Sequence, residues 1–137
     1  MNTSNFKHIA VVGAGAVGSF YGAMLARAGH RVTLIGRPAH VQAISRNGLK
    51  LDLATSSTTE IIQIEASTEL SSLHTADLVL FCVKSTDSAS VALQIAPYLS
   101  PNALMMSLQN GVENSNLIAQ QVANVVIPCV VYVATEI

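Results

Sequence analysis

The sequence predicts an α/β domain, a doubly wound, mostly parallel sheet with helices on both faces. Three observations predict it. Short, wholly apolar runs alternate with stretches of helical periodicity, the pattern of repeated strand–helix units. Half of the 137 residues are hydrophobic and only 11% are charged, as expected for strands buried on both faces. A Gly-x-Gly-x-x-Gly run, Gly13 to Gly18, lies between the first apolar run and the first helical stretch.

The elements come in this order. His8 to Val12 is a buried strand ending at Gly13. Ala16 to Ala28 is a helix with Phe20, Met24 and Leu25 on one face and Gly29 as its stop. Arg31 to Ile35 is a second strand, broken by Gly36-Arg37-Pro38. Pro38 suits the first turn of a helix running to about Arg46, and Asn47-Gly48 turns the chain. Leu49 to Leu53 alternates at period two, and Glu60 to Glu65 does so less cleanly. They are expected to pair across the polar loop 54–59. Ser67 to Thr75 stays ambiguous between coil and a short helix.

Leu78 to Val83 is the clearest buried strand. Thr86 or Asp87 is expected to cap a helix reaching about Leu99. After the turn at Ser100-Pro101-Asn102, Ala103 to Leu108 forms another strand, ending at Gln109-Asn110-Gly111. A helix from Val112 to Gln121 and a strand from Val125 to Ala134, interrupted by Pro128, complete the order. The 137 residues read as one domain.

The glycine run carries the strongest functional signal. Between a buried strand and a helix it is a dinucleotide-binding fingerprint, and the fold is Rossmann-type. Gly13 permits a tight turn, Gly15 lets the backbone approach a pyrophosphate, and Gly18 lets helix and strand pack closely. The unpaired N–H groups of the helix start, from Ala16 and Val17 onward, face the phosphates with a partial positive charge. Ala14 completes the loop. A glycine-rich turn without ligand is the plain alternative, and the strand–loop–helix context disfavours it.

The end of the second strand chooses the cofactor. An NAD site usually places Asp or Glu there, about 20 residues on, to hold the ribose hydroxyls. This sequence has Gly36-Arg37 and no carboxylate between Gly29 and Leu51. A guanidinium suits a 2′-phosphate, so NADP(H) is the expected cofactor. Lys84 and Asn110 each come after a strand whose carboxyl end opens on the same crevice, where ligands of open parallel sheets bind. Singly, Arg37 reads as a solvated arginine, Lys84 as a loop lysine and Asn110 as a turn former. Together they converge on one site.

Gly13-Ala14-Gly15-Ala16-Val17-Gly18, Gly36-Arg37, Val83-Lys84, Leu108-Gln109-Asn110-Gly111-Val112 and the closing Val131 to Ile137 resemble the N-terminal domain of ketopantoate reductases (2-dehydropantoate 2-reductases). The resemblance covers the whole sequence and implies reduction of 2-dehydropantoate to (R)-pantoate with NADPH, on the route to pantothenate and coenzyme A. It implies that Gly13 to Gly18 bind the pyrophosphate and Arg37 the 2′-phosphate. Lys84, Asn110 and Ala134 would contact the cofactor, and Asn110 would also reach the 2-keto acid substrate. It further implies a helical C-terminal domain with the general-acid lysine and most substrate-binding residues. These 137 residues do not include that domain, so no catalytic residue is assigned within them. Cofactor binding with little reductase activity is the expectation. The family includes monomers and dimers, so a homo-oligomer is allowed for. The alternatives kept open are the cofactor domain of another two-domain NAD(P)-dependent dehydrogenase, or a non-catalytic nucleotide-sensing Rossmann module.

Composition argues against other classes. With a net charge of -1 and no Lys/Arg cluster, nucleic-acid binding has no electrostatic support. No apolar run reaches the roughly 18 residues of a membrane span. His8, His30, His40 and His74 have no ligand spacing, so no metal site is expected, and His8 and His30 read as structural. Cys82 and Cys129 read as buried thiols of a reduced, cytoplasmic protein. Asp77 and Asp87 read as residues that cap or flank helices, and Met24, Met105 and Met106 as core.

Overall fold

In a computed structural model, residues 6–52, 58–109 and 113–130 are described. Eight strands and four α-helices occur among them. These are β1 (Ile9–Val12), α1 (Ala16–Arg27), β2 (Val32–Ile35), α2 (Pro38–Asn47), β3 (Leu49–Asp52), β4 (Thr59–Ile62), β5 (Glu65–Ser67), β6 (Leu78–Phe81), α3 (Ser88–Ile95), β7 (Leu104–Ser107), α4 (Glu113–Ala119) and β8 (Val126–Pro128). Short 3-10 helices span Leu70–Thr75, Ser85–Asp87 and Ala96–Tyr98.

Six strands form one sheet in the order β5-β2-β1-β6-β7-β8, every pair parallel. The chain enters at β1 near the middle, builds outward through β2 to β5, then returns to the other side of β1 with β6. The doubly wound reading is thereby met. The reversal between β1 and β6 is the switch point where such sheets open a ligand crevice.

The all-apolar runs are explained by burial on both faces. Alternate residues Ala10, Val12, Ile35, Val79, Phe81 and Met105 face one cluster, built with Ala92 and Ile95 of α3 and Ile118 of α4. The residues between them, including Ile9, Val11, Leu34 and Leu80, face a second cluster with Tyr21 and Leu25 of α1. The β3–β4 hairpin is antiparallel and lies against the outer side of α1, where Leu51 and Ile62 pack on Ala23, Phe20 and Met24. Met105 is fully buried, and Met24 and Met106 are partly buried.

Helix α1 ends as Gly29 predicts. Gly29 has φ 102°; its N–H donates to Ala26 O and that of His30 to Leu25 O. This pair of bonds is the glycine-terminated cap that satisfies the last carbonyls.

Several expectations need correction. The run from Glu60 to Glu65 is not one strand. It ends at Ile62, and Glu65–Ser67 crosses to the main sheet as β5, parallel to β2. Ile64 and Ala66 are drawn into the α1-side cluster, which outweighs continuation of the hairpin. The ambiguous segment carries a 3-10 helix with Leu73 fully buried. The helix expected to reach Leu99 is α-helical only to Ile95 and finishes as a 3-10 turn at Pro97, which lacks the N–H to continue. Asp87 occupies the N-cap of α3 without a side-chain cap bond. Asp77 caps no helix: its carboxylate accepts the Lys7 N–H at 2.8 Å and the His8 N–H at 3.0 Å, tying the start of β1 to β6. Cys82 and Cys129, expected as buried thiols, are both partly exposed. The strand expected from Val125 to Ala134 is seen as Val126–Pro128; Val125, Cys129 and Val130 are not in strand, and 131–134 lie outside the described residues. Pro128 is tolerated because β8 is an edge strand.

Candidate functional site

The parallel register brings the functional loops together. Val12 pairs with Ile35 on one side and Phe81 on the other, and Phe81 pairs with Ser107. The adjoining segments, Gly13, Gly36-Arg37, Val83-Lys84 and Gln109, therefore leave the same carboxyl edge side by side. Backbone bonds extend the ladder into them: Gly13 N–H to Ile35 O at 3.0 Å, Cys82 N–H to Val12 O at 2.8 Å, and Leu108 N–H to Phe81 O at 2.9 Å.

Each fingerprint glycine has a separate cause. Gly13 has φ +103°, and a Cβ there would lie 2.9 Å from the Cys82 backbone. A Cβ on Gly18 would lie 2.0 Å from the Gly13 carbonyl oxygen and 3.1 Å from Val11. Both are demanded by the fold itself. Gly15 is different. Its backbone is extended, with φ -79°, and a Cβ there would meet nothing within 4 Å. Neither strain nor packing calls for glycine at this position. The space in front of it is a cradle that a side chain would enter.

Gly15 is also the N-cap of α1, with no side-chain cap bond and no acidic residue in the first turn. The N–H groups at the start of Ala16–Arg27 thus point their partial positive charge at that open space. Ala14 is buried, and its carbonyl accepts the Ser19 hydroxyl at 3.1 Å, which holds the loop shape. A cradle of this kind fits the pyrophosphate of a nicotinamide dinucleotide.

Gly36 contributes a feature that the sequence did not reveal. A Cβ there would lie 2.7 Å from the Ala14 Cβ. The end of β2 and the phosphate loop are packed backbone to side chain, leaving no room for a side chain at 36. Arg37 comes next, exposed, at the N-cap of α2. Among the described residues the ion pairs are Arg27–Glu60 and Arg31–Glu65, so Arg37 is held by no carboxylate there.

Lys84 is exposed, and its carbonyl accepts the Asp87 N–H at 2.9 Å. Sequence reasoning also gave no role to Gln109. It is buried at the end of β7; its amide donates to Val83 O at 2.6 Å and to Ser88 Oγ at 2.8 Å. Its Oε1 accepts the Ser107 hydroxyl at 3.2 Å. Its signal was a polar side chain directly after a buried strand. Asn110 and Ala134 lie outside the described residues.

Cys82 lies under this edge. Burial pushes its thiol up to about 12, which leaves it inert as a nucleophile at neutral pH. No helix among the described residues is long and apolar enough to cross a membrane.

The family model described as "Ketopantoate reductase PanE/ApbA" matches residues 9–136. The chain belongs to this family. The crystal structure of a PanE/ApbA family ketopantoate reductase from Ralstonia eutropha JMP134 superposes with a TM-score of 0.90 at 52% identity, covering 95% of this chain and 43% of that one. A 2-dehydropantoate 2-reductase from Lactococcus lactis is 33% identical over 116 residues, 84% of this chain and 37% of that protein. A glycerol-3-phosphate dehydrogenase, NAD(P)+-dependent by name, from Bradyrhizobium sp. is 35% identical over 116 residues, 80% of this chain and 33% of that protein. The chain thus spans a little over a third of the length of the curated reductase. Family and fold together imply a Rossmann domain for a nicotinamide cofactor, and the open cradle at Gly15 fits that group.

Proposed function

We propose that this chain is the NADP(H)-binding part of a 2-dehydropantoate 2-reductase, and that by itself it binds cofactor with little reductase activity. The observation that carries the reading is the contrast between Gly36 and Arg37. The Ala14 contact bars from position 36 the carboxylate that an NAD site would use on the ribose. The adjacent exposed guanidinium is suited to a 2′-phosphate.

The roles divide accordingly. Gly13, Ala14, Gly15, Ala16, Val17 and Gly18 hold the pyrophosphate through backbone N–H groups and the α1 dipole. Arg37 pairs with the 2′-phosphate. Lys84, exposed at the carboxyl edge, adds positive charge to the crevice. Asn110 and Ala134 contact the cofactor, and Asn110 reaches the 2-keto acid. The nicotinamide, when bound, supplies a hydride. Reduction of a carbonyl also needs a proton donor and a grip on the substrate carboxylate. We assign both to a helical C-terminal domain outside these 137 residues, so no catalytic residue is assigned to the chain. A cytoplasmic enzyme acting on a small 2-keto acid, alone or as a homo-oligomer, and without nucleic-acid or membrane partners, is consistent with the composition.

A second reading, the cofactor domain of another two-domain dehydrogenase, is favoured by the 35% identity to the glycerol-3-phosphate dehydrogenase. Fluorescence titration with NADPH and NADH separates the two. Tight NADPH binding that weakens at least tenfold in Arg37→Ala, with NADH binding weak and unchanged, supports the first. Equal affinity for both cofactors in the unaltered chain removes Arg37 as a determinant and leaves the second.

A further inference from the structure

Gln109 clamps the Lys84 segment at both ends. Its side chain is buried, and its amide nitrogen carries two hydrogens. One is donated to Val83 O at 2.6 Å and the other to Ser88 Oγ at 2.8 Å. Val83 directly precedes Lys84, and Ser88 is the first residue of α3. Between these two anchors lie only Lys84 to Asp87. They are drawn into a 3-10 turn at Ser85–Asp87, and the Asp87 N–H donates to Lys84 O at 2.9 Å. Asp87 adds no side-chain cap bond to α3, so the hold on this helix start comes from Gln109 on Ser88.

The clamp is itself oriented. Oε1 of Gln109 accepts the Ser107 hydroxyl at 3.2 Å, which turns the amide nitrogen towards Val83. Ser88 and Ser107 are as buried as the apolar core. Three joined polar side chains at the end of an apolar sheet do little for stability as a set, because their bonds mainly offset their desolvation. Apolar side chains of the same volume would fill the space. What the bonds add is direction, a single arrangement of the segments they join. The segment so fixed carries an exposed lysine that forms no ion pair among the described residues, at the carboxyl edge shared with Gly13 and Gly36-Arg37.

We infer that Gln109 is a positioning residue for cofactor binding: by clamping Val83 and Ser88 it aims the Lys84 ammonium into the crevice, where it meets the negative charge of the dinucleotide. The inference rests on the cofactor reading above. Gln109 acts through Lys84 and not on the cofactor itself. A merely structural glutamine would lower stability when removed and leave the contribution of Lys84 intact.

A double-mutant cycle on the 137-residue chain tests this. NADPH affinity is measured by fluorescence for the unaltered chain, Lys84→Ala, Gln109→Leu and the double variant. Hydrogen exchange at Asp87 is followed by mass spectrometry without cofactor. Each single variant should lose about fivefold in affinity, the scale of one solvent-exposed charge contact. The double variant should bind no worse than Lys84→Ala, and Asp87 should exchange faster in Gln109→Leu. A triple variant, Ser88→Ala with Ser107→Ala and Gln109→Leu, replaces the whole network by apolar groups. It should regain part of the melting temperature lost in Gln109→Leu while its affinity stays low, and it carries the cycle if Gln109→Leu alone does not fold. Losses that multiply in the double variant overturn the inference. So does affinity that returns with stability in the triple variant, or exchange at Asp87 that does not change. No NADPH binding by the unaltered chain, with exchange at Asp87 still accelerated in Gln109→Leu, would instead count against the cofactor reading.

Discussion

The side-chain amide of Gln109 donates to the Val83 carbonyl at 2.6 Å and to Ser88 Oγ at 2.8 Å. One buried side chain at the end of β7 thereby fixes the loop that presents Lys84 and the start of α3. Gln109→Leu keeps the volume and removes both bonds, stranding polar groups at a cost of about 1–3 kcal/mol. Thermal denaturation should register this as a fall of several degrees, at roughly 3 °C per kcal/mol for a domain of this size. NADPH affinity should fall as well, because the Lys84 loop loses its anchor. An unchanged midpoint would mean that the loop is held by other contacts.

The three fingerprint glycines should separate in experiment. Gly18→Ala forces a Cβ to within 2.0 Å of the Gly13 carbonyl oxygen, so both stability and cofactor binding should suffer. Gly15→Ala meets nothing in the protein, and its stability should stay within about 0.5 kcal/mol of the original. Its NADPH affinity should nevertheless drop tenfold or more, about 1.4 kcal/mol, because the methyl group occupies the phosphate cradle. If Gly15→Ala binds NADPH normally, the cradle does not hold the pyrophosphate.

Position 36 tests space against charge. Adding an acid after β2 is the simplest way to seek NADH binding. Here a Cβ would lie 2.7 Å from that of Ala14, so Gly36→Asp must displace the phosphate loop. It should lose NADPH binding without gaining NADH. A variant that binds NADH well would show that the loop yields, and that charge alone sets the preference.

How far the sequence was legible depends on what each residue faces. β1, β2 and β6 were readable because core lies on both sides of them, which leaves apolar runs; β7 is fully buried on one face only, yet keeps apolar residues on both and was readable too. β5 was not. Glu65-Ala66-Ser67 is a half-exposed, three-residue edge strand whose pairing with β2 is set by distant packing of Ile64 and Ala66. The glycine spacing announced the phosphate loop, since close backbone approach leaves a mark in residue type. The Ala14–Gly36 contact and the bonds of Gln109 join segments far apart in sequence and leave no local pattern.

His8 makes stability depend on pH. Its ring is buried at the start of β1, with Nδ1 2.9 Å from Thr75 Oγ1 and Nε2 2.8 Å from Thr33 Oγ1. Burial, aided by the nearby Arg31 charge, holds its pKa below the usual 6.5. The unfolded chain therefore takes up a proton first as the pH falls. The stabilisation is complete above about pH 6.5 and is lost progressively below it, towards the lower folded pKa. Asp77 acts in a separate, more acidic window. Burial raises its pKa, but the N–H bonds from Lys7 and His8 prevail and hold it below 3.8, so its contribution goes only as the pH drops past that value. Between pH 7.5 and 5 the melting temperature should therefore decline mainly through His8. His8→Gln, which keeps a polar side chain but cannot titrate, should be less stable at pH 7.5 and show a flatter decline. A parallel slope in the variant would assign the acid sensitivity to another group.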